Sequence, residues 1–192
     1  MAQFALVFFA ALSLNLLLNF ALGINELVQR ERSPLINNFY PWIILFVSTF
    51  LLWIFLARIL FFTGGILNFI LIFPLSVLGS MALEILLFRS PFLKLGKNPG
   101  VFAIGSSFNG LAAAALFLTL HFALSFTDAL FLSLSFSAGG LLAFLIIKEI
   151  QKRSFLEKIP YGLRGTPILL IAMGLLSLVF SAASVLLLKI FL

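Results

Sequence analysis

Long apolar runs alternate along the chain with short polar connections. Six runs have helical length, at about 3–23, 40–62, 65–88, 100–123, 126–147 and 167–190. A helix needs roughly 20 residues to cross the hydrocarbon core of a bilayer, so each run predicts one spanning helix. The stretch 43–56 is apolar almost throughout, whereas strands of a membrane β-barrel alternate in polarity, which excludes a barrel. The predicted fold is all-α: an integral membrane protein with six transmembrane helices in one domain, residues 1–192.

The amino-acid composition is typical of a protein in lipid, and it argues against a nucleic-acid surface, a metal centre and a catalytic set. The chain is 63% hydrophobic and 9% charged, with a mean hydropathy of +1.26, whereas soluble domains are about a quarter charged. The 12 basic residues are too few and too dispersed for a nucleic-acid surface. With no cysteine, one histidine and six carboxylates, the chain predicts no metal centre and no catalytic set of its own.

Proline and glycine mark the ends of the predicted spans. The N-terminal run lacks a basic region before it and is long for a signal peptide, so we expect it to be a retained first span. Other boundary signals are Pro34 and Pro41 before span two, Gly64-Gly65 after it, Asn98-Pro99-Gly100 before span four, and Pro160 to Pro167 before span six.

Basic residues lie mainly in alternate connections. The connections after spans one, three and five hold ten of the 12 Lys and Arg residues, and the other two are Arg58 and Lys189. Because basic loops stay on the cytoplasmic side, the expected orientation has both termini outside. The longest polar stretch, 148–166, is too short for a soluble catalytic domain.

Polar residues within the spans are the candidates for function, because they are costly in lipid. They form a central set, proposed as one polar site, with Glu84 of span three as a possible cation contact. The set consists of Asn15, Asn19, Gly23 and Asn25 in span one and Gly105, Ser106, Ser107, Asn109 and Gly110 in span four. The same residues suit close helix packing, and Glu84 could instead pair with Arg89. His121 and Arg58 suit interface anchoring, and Asp128 suits the start of span five.

Each half of the chain opens with a span that carries an amide, serine and glycine cluster. The halves are about 1–90 and 98–192, with three spans each, so a duplicated unit would sit inverted relative to its copy. We therefore expect two inverted three-helix repeats whose first helices, one and four, are interrupted.

Three motifs of the chain are Ile159 to Gly165 followed by Ile168 to Phe180, Leu83-Glu84, and Asn15 to Gly23. With these motifs, nearly the whole chain resembles one family, the six-span membrane subunits of Rnf and sodium-pumping NADH:quinone oxidoreductase complexes, in the RnfA/NqrE-like branch. The resemblance implies the bacterial cytoplasmic (inner) membrane, termini outside, and an oppositely oriented sister six-span subunit among other partners. It also implies electron transport coupled to Na⁺ or H⁺ movement.

The chain departs from that family at two cysteines that ligate a [2Fe–2S] cluster. By the family spacing these positions are Asn25 and Asn109. Iron–sulfur clusters are held by thiolates or, less often, imidazoles, so we expect the usual cluster half to be absent here. No cofactor is expected on this chain alone.

The resulting expectation is a non-catalytic subunit of an ion-translocating electron-transport complex. Three alternatives stay open: a small inverted-repeat transporter, a scaffold subunit without a redox role, and a sequence altered from its natural parent. The ion, the electron donor and acceptor, and the choice between Rnf and Nqr are not fixed by the sequence.

Overall fold

The computed structural model describes residues 6–22, 35–60, 66–89, 106–156, 160 and 165–191, and the regular elements in these ranges are all helical. The first helix, Leu6–Phe20, contains a π-helical segment, Phe9–Ser13, and a short helix α1, Leu16–Phe20. The other helices are α2 (Leu35–Leu60), α3 (Ile66–Arg89), α4 (Ser107–Phe122), α5 (Phe126–Leu156) and α6 (Thr166–Phe191).

Three helices are long and apolar enough to cross a membrane, by the stretches Phe39–Ala57, Phe126–Ser154 and Thr166–Leu187. Shorter apolar stretches occur at Leu6–Phe20, Ile70–Leu86 and Phe108–Phe122. The all-helical class is confirmed, and the apolar helices support a bilayer environment. Six spans remain a prediction.

Two boundaries differ from the expected ones. Pro41 lies inside α2 rather than before it, since the helix already begins at Leu35. Helix α5 continues to Leu156, so the first part of the expected polar connection is helical. This extension is rich in good helix formers, and Arg153 Nε donates to Glu149 Oε1 at 3.2 Å across one turn.

The tight turn between α4 and α5 carries a capping box. Asp128 Oδ2 accepts from the backbone N–H of Ser125 at 3.1 Å, and Ser125 Oγ accepts from that of Asp128 at 3.2 Å. Two N–H groups that lack helical partners are thus satisfied. Asp128 lies in the first turn, as expected, with Ser125 as its reciprocal partner.

The centre of the core is the indole of Trp42. It makes edge-on contacts with Phe108 and Phe144, with ring centroids 5.6 and 5.9 Å apart. A Cβ at Gly140 would overlap this ring, and one at Gly139 would lie 2.8 Å from Ala11 Cα. The two glycines therefore let α5 approach both α2 and the first helix closely.

The order of contacts fixes how the helices run. Leu52 lies against Gly79, whereas Leu56, further along α2, packs in one cluster with Ile72 and Leu116. Residue numbers increase on α2 as they decrease on α3, so these two helices are antiparallel. The short turn at 123–125 makes α4 and α5 antiparallel as well.

Apolar side chains cover the outer faces. Helix α6 exposes large aliphatic residues along most of its length, and α3 does so on one side. The most exposed of them on these two helices are Ile70, Leu78, Leu86, Leu175, Leu178 and Leu186. Such surfaces are favourable against lipid acyl chains and unfavourable in water.

Replacing Gly139 by alanine tests the close approach of α5 to the first helix. We expect Gly139→Ala to lower the free energy of unfolding by about 1–3 kcal/mol, because the backbone of Ala11 must move. The measurement is unfolding of the purified chain in detergent.

The matched control is Gly174→Ala, since a Cβ at Gly174 meets nothing within 4 Å. This control should be neutral or slightly stabilising, because alanine favours a helix more than glycine does. Equal stability of the two variants would show that the close approach is unimportant.

Candidate central polar site

The first helix is interrupted at Leu14 and Asn15, as the sequence predicted for it. Leu14 N–H donates to Phe9 O at 2.9 Å, which closes the π-helical segment. Asn15 then adopts an extended backbone, φ −61° and ψ 108°, and its Oδ1 accepts from Leu18 N–H at 3.3 Å as the cap of α1. One asparagine thus both ends one helical segment and begins the next.

The amide nitrogen of Asn15 joins the break to α5. Its Nδ2 donates to Ala11 O at 3.0 Å and to Gly139 O at 2.8 Å, and the residue is 2% exposed. Both amide atoms of Asn15 therefore have partners, which agrees with a packing role. The contact with Gly139 O also depends on the absence of a side chain at that glycine.

Asn19 lies in a different environment from Asn15. Its Nδ2 donates to Ser13 O at 2.6 Å, and its Oδ1 accepts from Ser177 Oγ of α6. Asn19 is exposed, whereas Asn15 is buried against α5. The two amides of the first helix therefore contact different helices.

Helix α4 begins at the second polar cluster. Ser106 has an extended backbone, φ −68° and ψ 141°, and its Oγ accepts from Phe108 N–H at 3.2 Å. Asn109 is 4% exposed, and Gly110 faces Leu22, just after α1. The structure therefore places the start of α4 beside the end of the first helix.

Several residues of the predicted site lie outside the described residues. These are Gly23, Asn25 and Gly105, together with residues 157–159 and 161–164, which include most of the Ile159 to Gly165 motif. Ser107 is placed as the first residue of α4. Whether Asn25 and Asn109 belong to one central site therefore stays a prediction.

Glu84 belongs to a buried polar line on α3. The buried residues of this helix recur every fourth position and are Ile72, Ser76, Ser80 and Glu84, with Glu84 4% exposed. Three of the four are polar. Placing so many polar groups inside an apolar bundle is costly unless they have partners or bind water or an ion.

Register places Glu84 toward the end of the interface where α4 begins. Ile72 packs in one cluster with Leu116, and Met81 packs against the core cluster that includes Phe108 and Leu111. The twelve residues from Ile72 to Glu84 rise by about 18 Å, whereas the nine residues from Leu116 back to Ser107 rise by about 14 Å, so Glu84 lies about 4 Å beyond the start of α4 and about 8 Å from the level of Asn109. Asn109 shares the α4 stripe of Leu116 at seven-residue spacing, so it belongs to the face toward α2 and α3.

Helix α2 adds Thr49 to the same interface. Thr49 shares a stripe with Leu45, Leu52 and Leu56, of which the last two contact α3. It is 1% exposed, and its hydroxyl has no hydrogen-bond partner among the described residues. A buried hydroxyl without a partner is costly, so its environment favours a bound water or ion.

Apart from Thr49, the buried serine and threonine hydroxyls on α3 and α4 at this interface donate within their own helices. Ser76 Oγ donates to Phe73 O, Ser80 Oγ to Val77 O, and Thr119 Oγ1 to Ala115 O, at 2.7–3.0 Å. Their hydrogens are used in these bonds, and oxygen lone pairs remain. Together with the Glu84 carboxyl, the α2–α3–α4 interface presents mainly acceptors, which suit a cation or water.

Sequence reasoning identified Glu84, Asn15 and Asn109 but missed Ser76, Ser80 and Thr49. The four-residue spacing of Ile72, Ser76, Ser80 and Glu84 is visible in the sequence and could have identified the α3 line. Within the described residues, no group of three His, Asp or Glu side chains forms a metal site. Comparison with models of protein families and with curated protein sequences finds no match for the chain.

Replacing Asn15 tests its role at the break. We expect Asn15→Asp to lower the free energy of unfolding by about 1–2 kcal/mol, because an ionised carboxylate retains the acceptor for Leu18 but cannot donate to Ala11 or Gly139. Detergent unfolding measures the change.

Asn19→Asp is the matched control. It retains the acceptor for Ser177 and loses the donor to Ser13, at an exposed position. A smaller loss is expected there, because water can replace the missing partner. An Asn19→Asp loss as large as that of Asn15→Asp would contradict the assignment.

Proposed function

We propose that the protein is a membrane subunit of an ion-translocating electron-transport complex of the Rnf/Nqr type. Its contribution is a cation path along the α2–α3–α4 interface. The observation that carries this proposal is the buried line of α3 that ends at Glu84, toward the end of the interface where α4 begins. Glu84 of the Leu83-Glu84 pair of the resemblance is the last residue of this line.

The pattern of helix contacts supports an inverted repeat. Suppose that the first helix is exchanged with α4, α2 with α5, and α3 with α6. Several of the observed helix–helix contacts then become other contacts that are also observed. The α2–α3 contact becomes α5–α6, α2–α4 becomes α5 with the first helix, and α3–α4 becomes α6 with the first helix. The α2–α5 contact and that between α1 and α4 map onto themselves.

One observed contact has no counterpart under this exchange. Helices α4 and α5 pack together, whereas the described residues give the first helix no comparable contact with α2. A unit of three spans reverses its direction in the membrane on duplication, so the remaining pattern agrees with two inverted halves. In such folds the ion sites lie where the interrupted helices face each other, and we propose that the start of α4, with Asn109 near it, contributes to such a site.

The residues at the family's cysteine positions do not fit a [2Fe–2S] cluster. Asn109 offers an amide where the family has a thiolate, and the other position, Asn25, has the same substitution. Amide oxygens are hard ligands and suit Na⁺ better than iron in a sulfide cluster. We therefore propose that this subunit takes part in ion movement without its half of the usual cluster.

Iron content tests the cluster part of the proposal. The chain is co-expressed and purified with its partner subunits, and iron is measured for the wild type and for Asn109→Ala. We expect no iron that depends on Asn109. Stoichiometric iron that is lost in the Asn109→Ala complex would overturn this assignment.

Charge removal at Glu84 tests the cation path. We expect Glu84→Gln to lower the rate of Na⁺ or H⁺ movement in proteoliposomes by about tenfold or more, because a neutral amide of nearly the same shape loses the charge that attracts the ion. Assembly of the complex should be unchanged.

Glu149→Gln is the matched control. Because Glu149 is exposed on α5, the rate of ion movement should be unchanged in this variant. Unchanged ion movement in Glu84→Gln would favour a scaffold subunit. Ion movement by the chain alone, lost in Glu84→Gln and independent of any electron donor, would favour a transporter without a redox role.

A further inference from the structure

A second surface lies away from the polar interface, on α5 near its charged end. A groove of ≈ 380 Å³ is lined there by Leu145, Ile146, Glu149, Ile150 and Arg153. Most of the exposed lining surface is apolar, and the two charged side chains lie at one end. The groove therefore crosses the boundary between the apolar and the charged part of α5.

This groove faces away from the core. The buried residues of α5 in this region are Phe144, Ile147 and Gln151. At 100° per residue, the groove residues centre on the opposite side of the helix. The groove therefore lies on the side of α5 away from these three buried residues, and one of its lining residues, Leu145, also packs against the core cluster.

Charge at the end of the groove selects an anion. Lys152 and Arg153 are both exposed; Arg153 lines the groove, and Lys152 precedes it at the same end of α5. Glu149 accepts from Arg153 Nε at 3.2 Å, so this bond orients the guanidinium while its terminal nitrogens keep their donors. A phosphate at the membrane interface matches these donors.

We propose that this groove binds one anionic phospholipid. Its acyl chain lies along Leu145, Ile146 and Ile150, and its phosphate is held by Lys152 and Arg153. A lipid satisfies both features of the groove, the apolar wall and the basic end, whereas free phosphate satisfies only the second. This binding site is independent of the cation path.

Lipid-dependent stabilisation of the full purified chain tests the proposal. The detergent unfolding midpoint is followed during titration with phosphatidylglycerol, phosphatidylcholine or sodium phosphate. We expect stabilisation by phosphatidylglycerol alone. An equal effect of phosphatidylcholine, or an effect of sodium phosphate alone, would overturn the proposal.

Two variants separate the charged and apolar parts of the groove. Lys152→Gln with Arg153→Gln should weaken the apparent affinity for phosphatidylglycerol by about fivefold per basic residue. Ile150→Trp retains both charges but fills the groove, and it should weaken binding as well.

Lys189→Gln, at the exposed end of α6, is the control and should bind as the wild type does. Wild-type binding by both the double variant and Ile150→Trp would place the lipid elsewhere.

Discussion

The hydrogen bonds of Asn15 are the constraint on which the interior depends. A helix interrupted in a lipid-facing bundle leaves backbone groups without partners, and no bulk water is present to satisfy them. Asn15 Oδ1 accepts a hydrogen bond from Leu18 N–H, and Asn15 Nδ2 donates to Ala11 O and Gly139 O. One side chain therefore satisfies backbone groups on both sides of the interruption. The bond to Gly139 O also fixes the first helix against α5, and α5 in turn positions Trp42 through Gly140.

The α2–α3–α4 interface contains two contrasting kinds of buried polar group, hydroxyls that bond within their own helix and the carboxylate of Glu84. The hydroxyls of Ser76, Ser80 and Thr119 are anchored to carbonyls of their own helices and need nothing from a neighbour. Glu84 is different, because an ionised carboxylate has only acceptors and its partner must be a donor or a cation. We propose that a translocated cation is one such partner.

Periodicity predicted the coarse fold well, because apolar runs of helical length have few other solutions in lipid. The amide and glycine cluster of the first span also predicts an interruption there, and the structure has one at Leu14 and Asn15. Local sequence signals predict two helix boundaries incorrectly. Pro41 predicts the start of a helix, yet six helical residues precede it in α2. The charged residues after position 147 predict a connection, whereas Glu149 and Arg153 form an ion pair within helix α5.

The candidate site was predicted only in part, because composition does not distinguish an amide used in packing from one available to a ligand. Asn15 and Asn19 look alike in the sequence, yet Asn15 holds the first helix against α5 and Asn19 contacts α6. An amide engaged at both ends, as Asn15 is, cannot bind an ion without breaking the bonds that close the helix. The stronger functional candidates are therefore those on the α2–α3–α4 interface, where Thr49 is buried without a protein partner among the described residues and Glu84 brings the charge. We therefore propose that the interrupted first helix supports the site and that the line on α3 forms part of it.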